Sequence, residues 1–359
     1  MKKILCLIDG LNSGGAERQM VGLAMLLKSK GYDTDLAYYH RNGFYDYLAS
    51  GKLCTIAIQT GNSRIGKLYH IYRFIRKGKY HVVITYKQGP NVIACLTKLL
   101  GAKFKLIVSD RNTSQAITLK EQLQYLLYRW AEYVVPNSDS QRSFISSHFP
   151  VLSSKTVTIT NFTDTKCFRP LAKPKHGQPV RILTVARISR QKNVKNYLYA
   201  IKQVSDQRQD VVFDWYGEVQ IGEMDYWDEC CKMVDKLSIG YYINFYPATK
   251  DIINRYQECD VFCLPSLYEG YPNALCEAMS CGKPVLCSRV CDNPQIVNEG
   301  KNGIMFNPED ANDMGAAILR LLSLSEAERD VMGRLSRKLA EERFSEEVFV
   351  EKYIHLIES

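Results

Sequence analysis

The sequence has no apolar run approaching the roughly 18 residues that a membrane-crossing helix needs, so nothing in it reads as a transmembrane segment. Its opening, MKKILCLIDG, places a short apolar run after two lysines, but the run ends at Asp9, too early for the core of a secretory signal. The twelve cysteines include no C-x-x-C pair, which removes the usual spacing of zinc and dithiol sites. Cys6, Cys263 and Cys276 lie inside apolar runs where any small hydrophobe would serve. They read as buried reduced thiols, with a disulfide frame or a metal site as the alternative. Glycine and proline are sparse, at 22 and 12 of 359 residues, which excludes collagen-like and low-complexity architectures. A G-x-G-x-x-G fingerprint is also missing, and no acidic residue ends a second strand in the way a dinucleotide-binding fold requires. The expectation is a globular cytoplasmic protein.

At about 150 residues per domain, 359 residues suggest two domains. Charge divides them: residues 1–170 hold 24 Lys and Arg against 10 Asp and Glu, whereas residues 171–359 hold 23 against 28, which is +14 and −5. A basic half implies an anionic partner: nucleic acid, an acidic membrane surface or a phosphorylated substrate. Short β-rich runs alternate with helical patterns in both halves. In the first they include Lys3–Asp9, Thr34–Tyr39, His81–Tyr86, Phe104–Ser109 and Thr156–Thr160. In the second they include Val180–Ala186, Val211–Tyr216, Val261–Pro265 and Pro284–Cys287. Such alternation predicts parallel sheets covered by helices, and two such series predict two doubly wound domains. The polar stretch from Arg169 to Val180, with Pro170, Pro174, Gly177 and Pro179, reads as the linker. From about Glu309 to the end the pattern is helical.

Ligands of open α/β sheets bind beyond the carboxyl ends of the strands, so the chemistry is sought in the loops there. After the first strand, Gly14-Gly15-Ala16-Glu17 opens a helix whose free N–H groups suit a phosphate; a plain tight turn is the other reading. The equivalent loop of the second half offers Arg187 and Lys192, able to reach one diphosphate or simply solvated. The most informative segment runs from Asp260 to Pro284. It predicts a buried strand, a turn at Glu269-Gly270-Tyr271-Pro272, and a helix from near Asn273 to Gly282. Glu269 then sits on the loop and Glu277 a turn inside the helix. The first N–H groups, at Asn273, Ala274 and Leu275, lie between them. Such a site grips an elongated ligand at two ends and an anion in the middle.

These residues carry a resemblance. Leu264-Pro265-Ser266, Glu269 and Glu277, Ala278-Met279, Gly282-Lys283-Pro284-Val285 and Asn298-Glu299-Gly300-Lys301-Asn302-Gly303 follow in the order found in the retaining family 4 glycosyltransferases, the glycosyl transferases group 1. The Gly14-Gly15-Ala16-Glu17 turn, Arg187 with Lys192, and Asn161 to Pro170 match as well, so the chain resembles the family nearly throughout. The resemblance implies an α/β GT-B fold of two Rossmann-like domains facing across a cleft. Residues 1–170 would bind the acceptor, 171–345 the nucleotide-sugar, and 346–359 would form a helix crossing back to the first domain. It also implies that Glu277 accepts from the ribose diol and Glu269 meets the donor sugar. Gly14 and Gly15, Arg187 and Lys192 would hold the diphosphate, and the backbone of Gly270, Tyr271, Asn273, Ala274 and Leu275 would line the donor. No metal or other cofactor is expected, because cations and N–H groups can stabilise the leaving diphosphate. Asp33-Thr34-Asp35 lies away from the expected site and is read as a coincidence.

One departure concerns the acceptor side. Many members of the family carry a His after a central strand of the first domain, where this chain reads Val108-Ser109-Asp110-Arg111-Asn112. Asp110 or Arg111 would take that position. The expected partners are a UDP-sugar and a glycan or lipid-linked acceptor of surface polysaccharide synthesis, with no nucleic acid, since no reader motif is present. The basic helical pattern Arg64, Lys67, Arg73, Arg76, Lys77 and Lys79, beside Ile65, Leu68, Ile71, Tyr72 and Ile75, fits either a sheet-covering helix or docking on anionic lipid. Tyr125 to Trp130 is a second candidate for such docking, more readily read as core. A silent nucleotide-sugar-binding subunit and a GT-B sugar-nucleotide epimerase are the alternative functions.

Overall fold

The structure, a computed structural model, describes residues 1–12, 14–43, 53–60, 63–111, 117–171 and 179–359. The middle of the expected linker (172–178), Asn112 and the side chain of Arg64 lie outside the described residues. The chain forms two compact units, Met1–Phe162 with Glu346–Ser359, and Thr163–Ser345. The division falls at Phe162 and not at 170 because the residues that follow pack on the second unit. Phe168 is part of that unit's core, and Arg337 donates to the carbonyls of Thr165 and Phe168 at 2.9 and 2.8 Å.

In the first unit the strands are β1 (Lys3–Leu7), β2 (Gly10–Leu11), β3 (Asp33–Tyr38), β4 (His40–Gly43), β5 (Cys54–Ala57), β6 (Val82–Tyr86), β7 (Lys105–Asp110) and β8 (Tyr133–Pro136). Six of them form a parallel sheet in the order β5-β3-β1-β6-β7-β8, and β2 pairs separately with β4. The second unit holds β9 (Val180–Val185), β10 (Val211–Tyr216), β11 (Ile243–Tyr246), β12 (Val261–Leu264), β13 (Val285–Ser288) and β14 (Gly303–Phe306). These pair in parallel in the order β11-β10-β9-β12-β13-β14. Both orders are the doubly wound arrangement, which reverses direction between β1 and β6 and between β9 and β12. β2, β4 and β14 are additions to the sequence-based expectation. Thr156–Thr160 is not a strand: it contributes only a bridge from Thr156 to Val134.

Covered on both faces, these sheets need strands apolar on both sides, and β6 (VVITY) and β13 (VLCS) are buried at every position. The covering helices are apolar on one face. In Val194–Ser205 the residues Val194, Tyr197, Leu198, Ile201 and Val204 recur at helical spacing and join the core on β9 and β10. The terminal helix Glu346–Glu358 buries Phe349, Val350, Tyr353, Leu356 and Ile357 among Ile4, Met20 and Val82 of the first unit. No helix among the described residues is long and apolar enough to cross a membrane.

Two glycines permit one close approach in the second unit. Gly282, at φ +72°, ends the helix Asn273–Ser280, and a Cβ placed on Gly333 would lie 2.1 Å from its carbonyl oxygen. The long helix Glu326–Phe344 therefore approaches at a residue without a side chain. Lys283 follows and donates to the carbonyls of Gln257 and Cys259 at 2.8 and 2.6 Å, closing the end of the helix Ile252–Glu258. Replacing Gly333 with Ala is expected to lower stability by about 1–3 kcal/mol, measured by urea unfolding.

All twelve cysteines are free thiols, eight of them buried. Burial pushes the Cys263 and Cys276 thiols up to about 12. Because only the thiolate reacts, Cys167, which is exposed, should be labelled by an aqueous maleimide in the native protein. Cys263 and Cys276 should react only after denaturation, as peptide mass mapping would show.

Candidate active site

In the second unit the two loops expected to carry the chemistry follow β9 and β12, the neighbouring strands at which the winding reverses. The first loop is pinned at its start. Trp215, fully buried, donates its indole N–H to the Ala186 carbonyl at 2.8 Å. A Cβ on Gly217 would come within 2.0 Å of that same oxygen. Arg187 follows, exposed and without an ion pair among the described residues. Arg190 is spent on structure, paired with Glu223 and Asp225 at 2.7 Å each. A short turn, Arg190–Lys192, leads to Asn193 in the left-handed region at φ 61°, a conformation that Asn tolerates well. The Asn193 amide then donates to the carbonyls of Pro265 and Pro308 at 3.1 and 2.7 Å.

The second loop is laced to the first. Leu267 N–H donates to the Gln191 carbonyl, and the Gln191 side chain donates to the Tyr268 carbonyl, each at 2.9 Å. The lacing brings Lys192 Nζ to 2.5 Å from Glu269 Oε1. Glu269 is 6% exposed and also accepts from the Ser266 hydroxyl at 2.6 Å. Lys192 has three N–H bonds, so one carboxylate does not exhaust it. Glu277, 7% exposed, accepts from the buried Tyr256 hydroxyl at 2.9 Å.

Between the two glutamates the helix Asn273–Ser280 begins without a side-chain cap. The expectation of three free amides needs correction. Asn273 N–H is taken by the Tyr271 carbonyl at 2.9 Å, because Tyr271-Pro272 turns tightly into the helix. Ala274 and Leu275 N–H have no acceptor among the described residues. Gly270 is partly exposed at the loop apex, whereas the Tyr271 side chain is buried and packs edge-on to Phe344. Ser189 Oγ, Ser288 Oγ and Asn293 Oδ1 are buried without a hydrogen-bond partner among the described residues, at or just beyond the carboxyl ends of β9 and β13. Unpartnered buried oxygens are uncommon, and this edge of the sheet has several. A carboxylate pair, two free amides and two cations here can bind hydroxyls and a phosphate chain.

In the first unit Gly14 caps the helix Gly15–Ser29, which opens in the expected turn, but a carboxylate of the chain's own lies at its end. Glu17 is 3% exposed, and a Cβ on Gly14 would lie 2.4 Å from its Oε2. Lys87, held at φ 74°, pairs with Glu17 at 2.7 Å and with Asp9 at 3.0 Å. The positive helix end at Gly14 and Gly15 thus faces Glu17 before any ligand. Asp110 is 2% exposed and accepts from the Tyr125 hydroxyl at 2.7 Å. The guanidinium of Arg111 donates to Ser109 Oγ at 2.8 Å, to the hydroxyls of Tyr86 and Tyr353 at 2.6 and 2.9 Å, and to Asn161. It also stacks on the Tyr86 ring, 4.3 Å from the centroid. Asp110 and Arg111 are therefore tied into the frame of the first unit. Asp33-Thr34-Asp35 opens β3, where Asp35 accepts from the Tyr80 hydroxyl.

Sequence reasoning assigned no role to Tyr256, Asn193 or Lys87, and named Ser266 only as part of a motif. Asn193 carried a local signal, an Asn immediately before an apolar-periodic helix. Tyr256, beside Glu277 in the second unit, and Lys87, beside Glu17 in the first, are placed by strand neighbourhood and had none.

Residues 170–339 match the family described as glycosyl transferases group 1. The amylovoran biosynthesis glycosyltransferase AmsD of Erwinia amylovora is 25% identical over 291 residues, covering 80% of each chain. A Campylobacter jejuni enzyme, N-acetylgalactosamine-N,N'-diacetylbacillosaminyl-diphospho-undecaprenol 4-alpha-N-acetylgalactosaminyltransferase, is 21% identical over 339 residues, 90% of each. Among solved structures, Anabaena HepE in complex with UDP superposes with a TM-score of 0.85 over 99% of both chains at 17% identity. A glycosyltransferase from Rickettsia africae does so with a TM-score of 0.86 over 99% of this chain and 98% of the other, at 15% identity. Two doubly wound units in one chain form the GT-B fold, and the second of them, over residues 170–339, matches the glycosyl transferases group 1 family.

Proposed function

We propose that the protein is a retaining, metal-independent hexosyltransferase that moves a sugar from a UDP-sugar to a lipid-linked glycan in surface polysaccharide synthesis. It would work at the cytoplasmic face of the membrane. The observation that carries this reading is the assembly after β9 and β12: Glu269 bonded to Lys192, Glu277 on the neighbouring helix, and the free amides of Ala274 and Leu275 between them. UDP bound to the structural neighbour HepE supports the nucleotide. A diphospho-undecaprenol acceptor in the name of the Campylobacter relative supports the lipid carrier.

In this reading Glu277, steadied by Tyr256, accepts from the two ribose hydroxyls, and the diphosphate lies across the Ala274 and Leu275 amides. Glu269, held by Lys192 and Ser266, accepts from a hydroxyl of the donor sugar. As the bond from the anomeric carbon to the β-phosphate oxygen breaks, its electron pair passes to that oxygen. Lys192 and Arg187 stabilise the growing negative charge, a contribution of about 10²–10³ in rate per well-placed donor. The acceptor hydroxyl attacks from the face the phosphate is leaving, and its proton passes to the departing phosphate oxygen. Configuration at the anomeric carbon is thereby retained without a dedicated base, so Asp110 and Arg111 act as positioning residues.

Purified protein supplied with a panel of UDP-sugars and lipid-linked glycans should transfer sugar or hydrolyse donor, at a rate unaffected by EDTA. Absence of transfer, hydrolysis and UDP binding together would falsify the proposal. Glu277→Ala should weaken UDP binding by about 10- to 100-fold in calorimetry, the worth of hydrogen bonds to a carboxylate. Arg187→Ala should lower kcat by about 10²–10³ with unchanged thermal stability, since Arg187 makes no ion pair among the described residues. Arg111→Ala should instead lower stability by about 2–3 kcal/mol in urea unfolding through lost hydrogen bonds.

A further inference from the structure

Arg111 carries a charge that its surroundings leave unanswered. A guanidinium stays protonated in proteins, and a charge drawn out of water is tolerated when something of opposite sign meets it. Partly buried beyond β7, Arg111 is surrounded by neutral oxygens: Ser109 Oγ, Asn161 Oδ1 and the hydroxyls of Tyr86 and Tyr353. They take up hydrogen bonds but not charge, and the Tyr86 ring covers one face of the guanidinium. Among the described residues no carboxylate pairs with it. Asp110, next to it in the chain, turns to the other face of the sheet and accepts from Tyr125. Lys87, one strand away, is in the opposite condition, with Glu17 and Asp9 both bonded to it.

A second deficit lies beside it. β7 and β8 pair with Ser109 opposite Val135 and Asp110 opposite Pro136, so Arg111 and Asn137 each stand one residue past the carboxyl ends of neighbouring strands. Side chains alternate along a strand. Ile107 and Val135 belong to the core that receives the terminal helix, and continuing the alternation puts Ser109, Arg111 and Asn137 on that same face. Asn137 is 4% exposed, and its Oδ1 has no hydrogen-bond partner among the described residues. The donors of Arg111 pass it by and reach Asn161 instead. Buried amide oxygens are seldom left without a donor, and here one adjoins a cation without a counter-ion.

We propose that Arg111 and Asn137 form a subsite for an acidic sugar residue of the acceptor. The acidic group of that sugar, a carboxylate or a phosphate, lies beside the guanidinium, and a neighbouring hydroxyl donates to Asn137 Oδ1. A neutral sugar would meet only the amide oxygen. A diphosphate diester, which has no O–H, would meet only the guanidinium. A sugar bearing an acidic group answers both at once. That this sugar belongs to the acceptor rests on the glycosyltransferase reading above; that it binds here does not.

Thermal-shift titration of the full chain at constant ionic strength, with UDP present to fill the nucleotide site, tests the assignment. Glucuronate and glucose 6-phosphate are the acidic probes, glucose the neutral one and inorganic phosphate the bare anion. At least one acidic probe should bind about tenfold or more tighter than glucose, the lower end of what a hydrogen bond to a charged group contributes. Preference for glucuronate assigns a carboxylate to the natural sugar, and preference for glucose 6-phosphate a phosphate. The variant Asn137→Asp sets a carboxylate beside Arg111 and supplies the missing counter-ion from within the chain. It should keep native circular dichroism, melt no lower than the wild type and bind the preferred acidic probe at least about tenfold more weakly. Equal affinity for acidic and neutral sugars overturns the proposal. So does inorganic phosphate binding as tightly as the better acidic sugar, or an Asn137→Asp variant that melts lower or binds that sugar as the wild type does. UDP binding and donor hydrolysis without any acceptor test the glycosyltransferase reading separately, so the two can fail independently.

Discussion

Lys192 and Glu269 meet nearly out of water because β9 and β12, far apart in sequence, are neighbours in the sheet. A carboxylate so placed is tolerable only beside a cation and a hydrogen-bond donor, here Lys192 and Ser266. Removing one partner of such a pair typically costs about 3–5 kcal/mol, since the other charge is left buried alone. The pair and the lacing of Leu267 to Gln191 and of Asn193 to Pro265 together hold the two loops to one geometry. The helix Asn273–Ser280, with its two free amides, is fixed in turn relative to the cations. A site assembled this way needs little reorganisation when charge develops on a ligand, the condition under which placed donors are most effective.

The residues that carry the family resemblance divide into two physical kinds. Glu269, Glu277, Lys192 and Arg187 present charge at the carboxyl edge of the sheet. Gly282, Lys283, Asn302 and Glu299 present none there. Gly282 admits the helix Glu326–Phe344, Lys283 closes a neighbouring helix, Asn302 bonds Asn298 and Ser336, and Glu299 pairs with Arg289 and Arg320. A motif read as one signature is thus partly a ligand site and partly the frame that aims it. The first unit repeats the division: Arg111 binds β7 to Tyr86, Tyr353 and Asn161, work that leaves its donors committed.

Much of the fold was legible because parallel, doubly covered strands must be apolar on both faces, and β6, β9 and β12 announce themselves that way. β14, four residues following Gly300-Lys301-Asn302, was hidden behind turn residues and is a strand because β13 offers it an edge. Thr156–Thr160 had the composition of a strand and became an irregular segment along β8. A charge change and a linker composition point to a boundary at 170, whereas the division falls eight residues earlier, at Phe162, and depends on which core receives Phe168.

Glu269 and Glu277, the Gly-Gly helix start and the basic character of the first half were determined by the sequence itself, through local turn and helix grammar and simple charge counting. Which of these groups are available was decided only in three dimensions. Asn273 N–H is taken by a turn, Glu17 lies at the helix end that Gly14 and Gly15 open, and Arg190 is consumed by Glu223 and Asp225 while Arg187 is not. Burial was decided in the same way, since Tyr125 and Leu126 are adjacent in sequence yet the first is buried and the second half in solvent. Sequence specifies what each residue can donate, accept or bury; partners from distant strands determine how much of that capacity is left over.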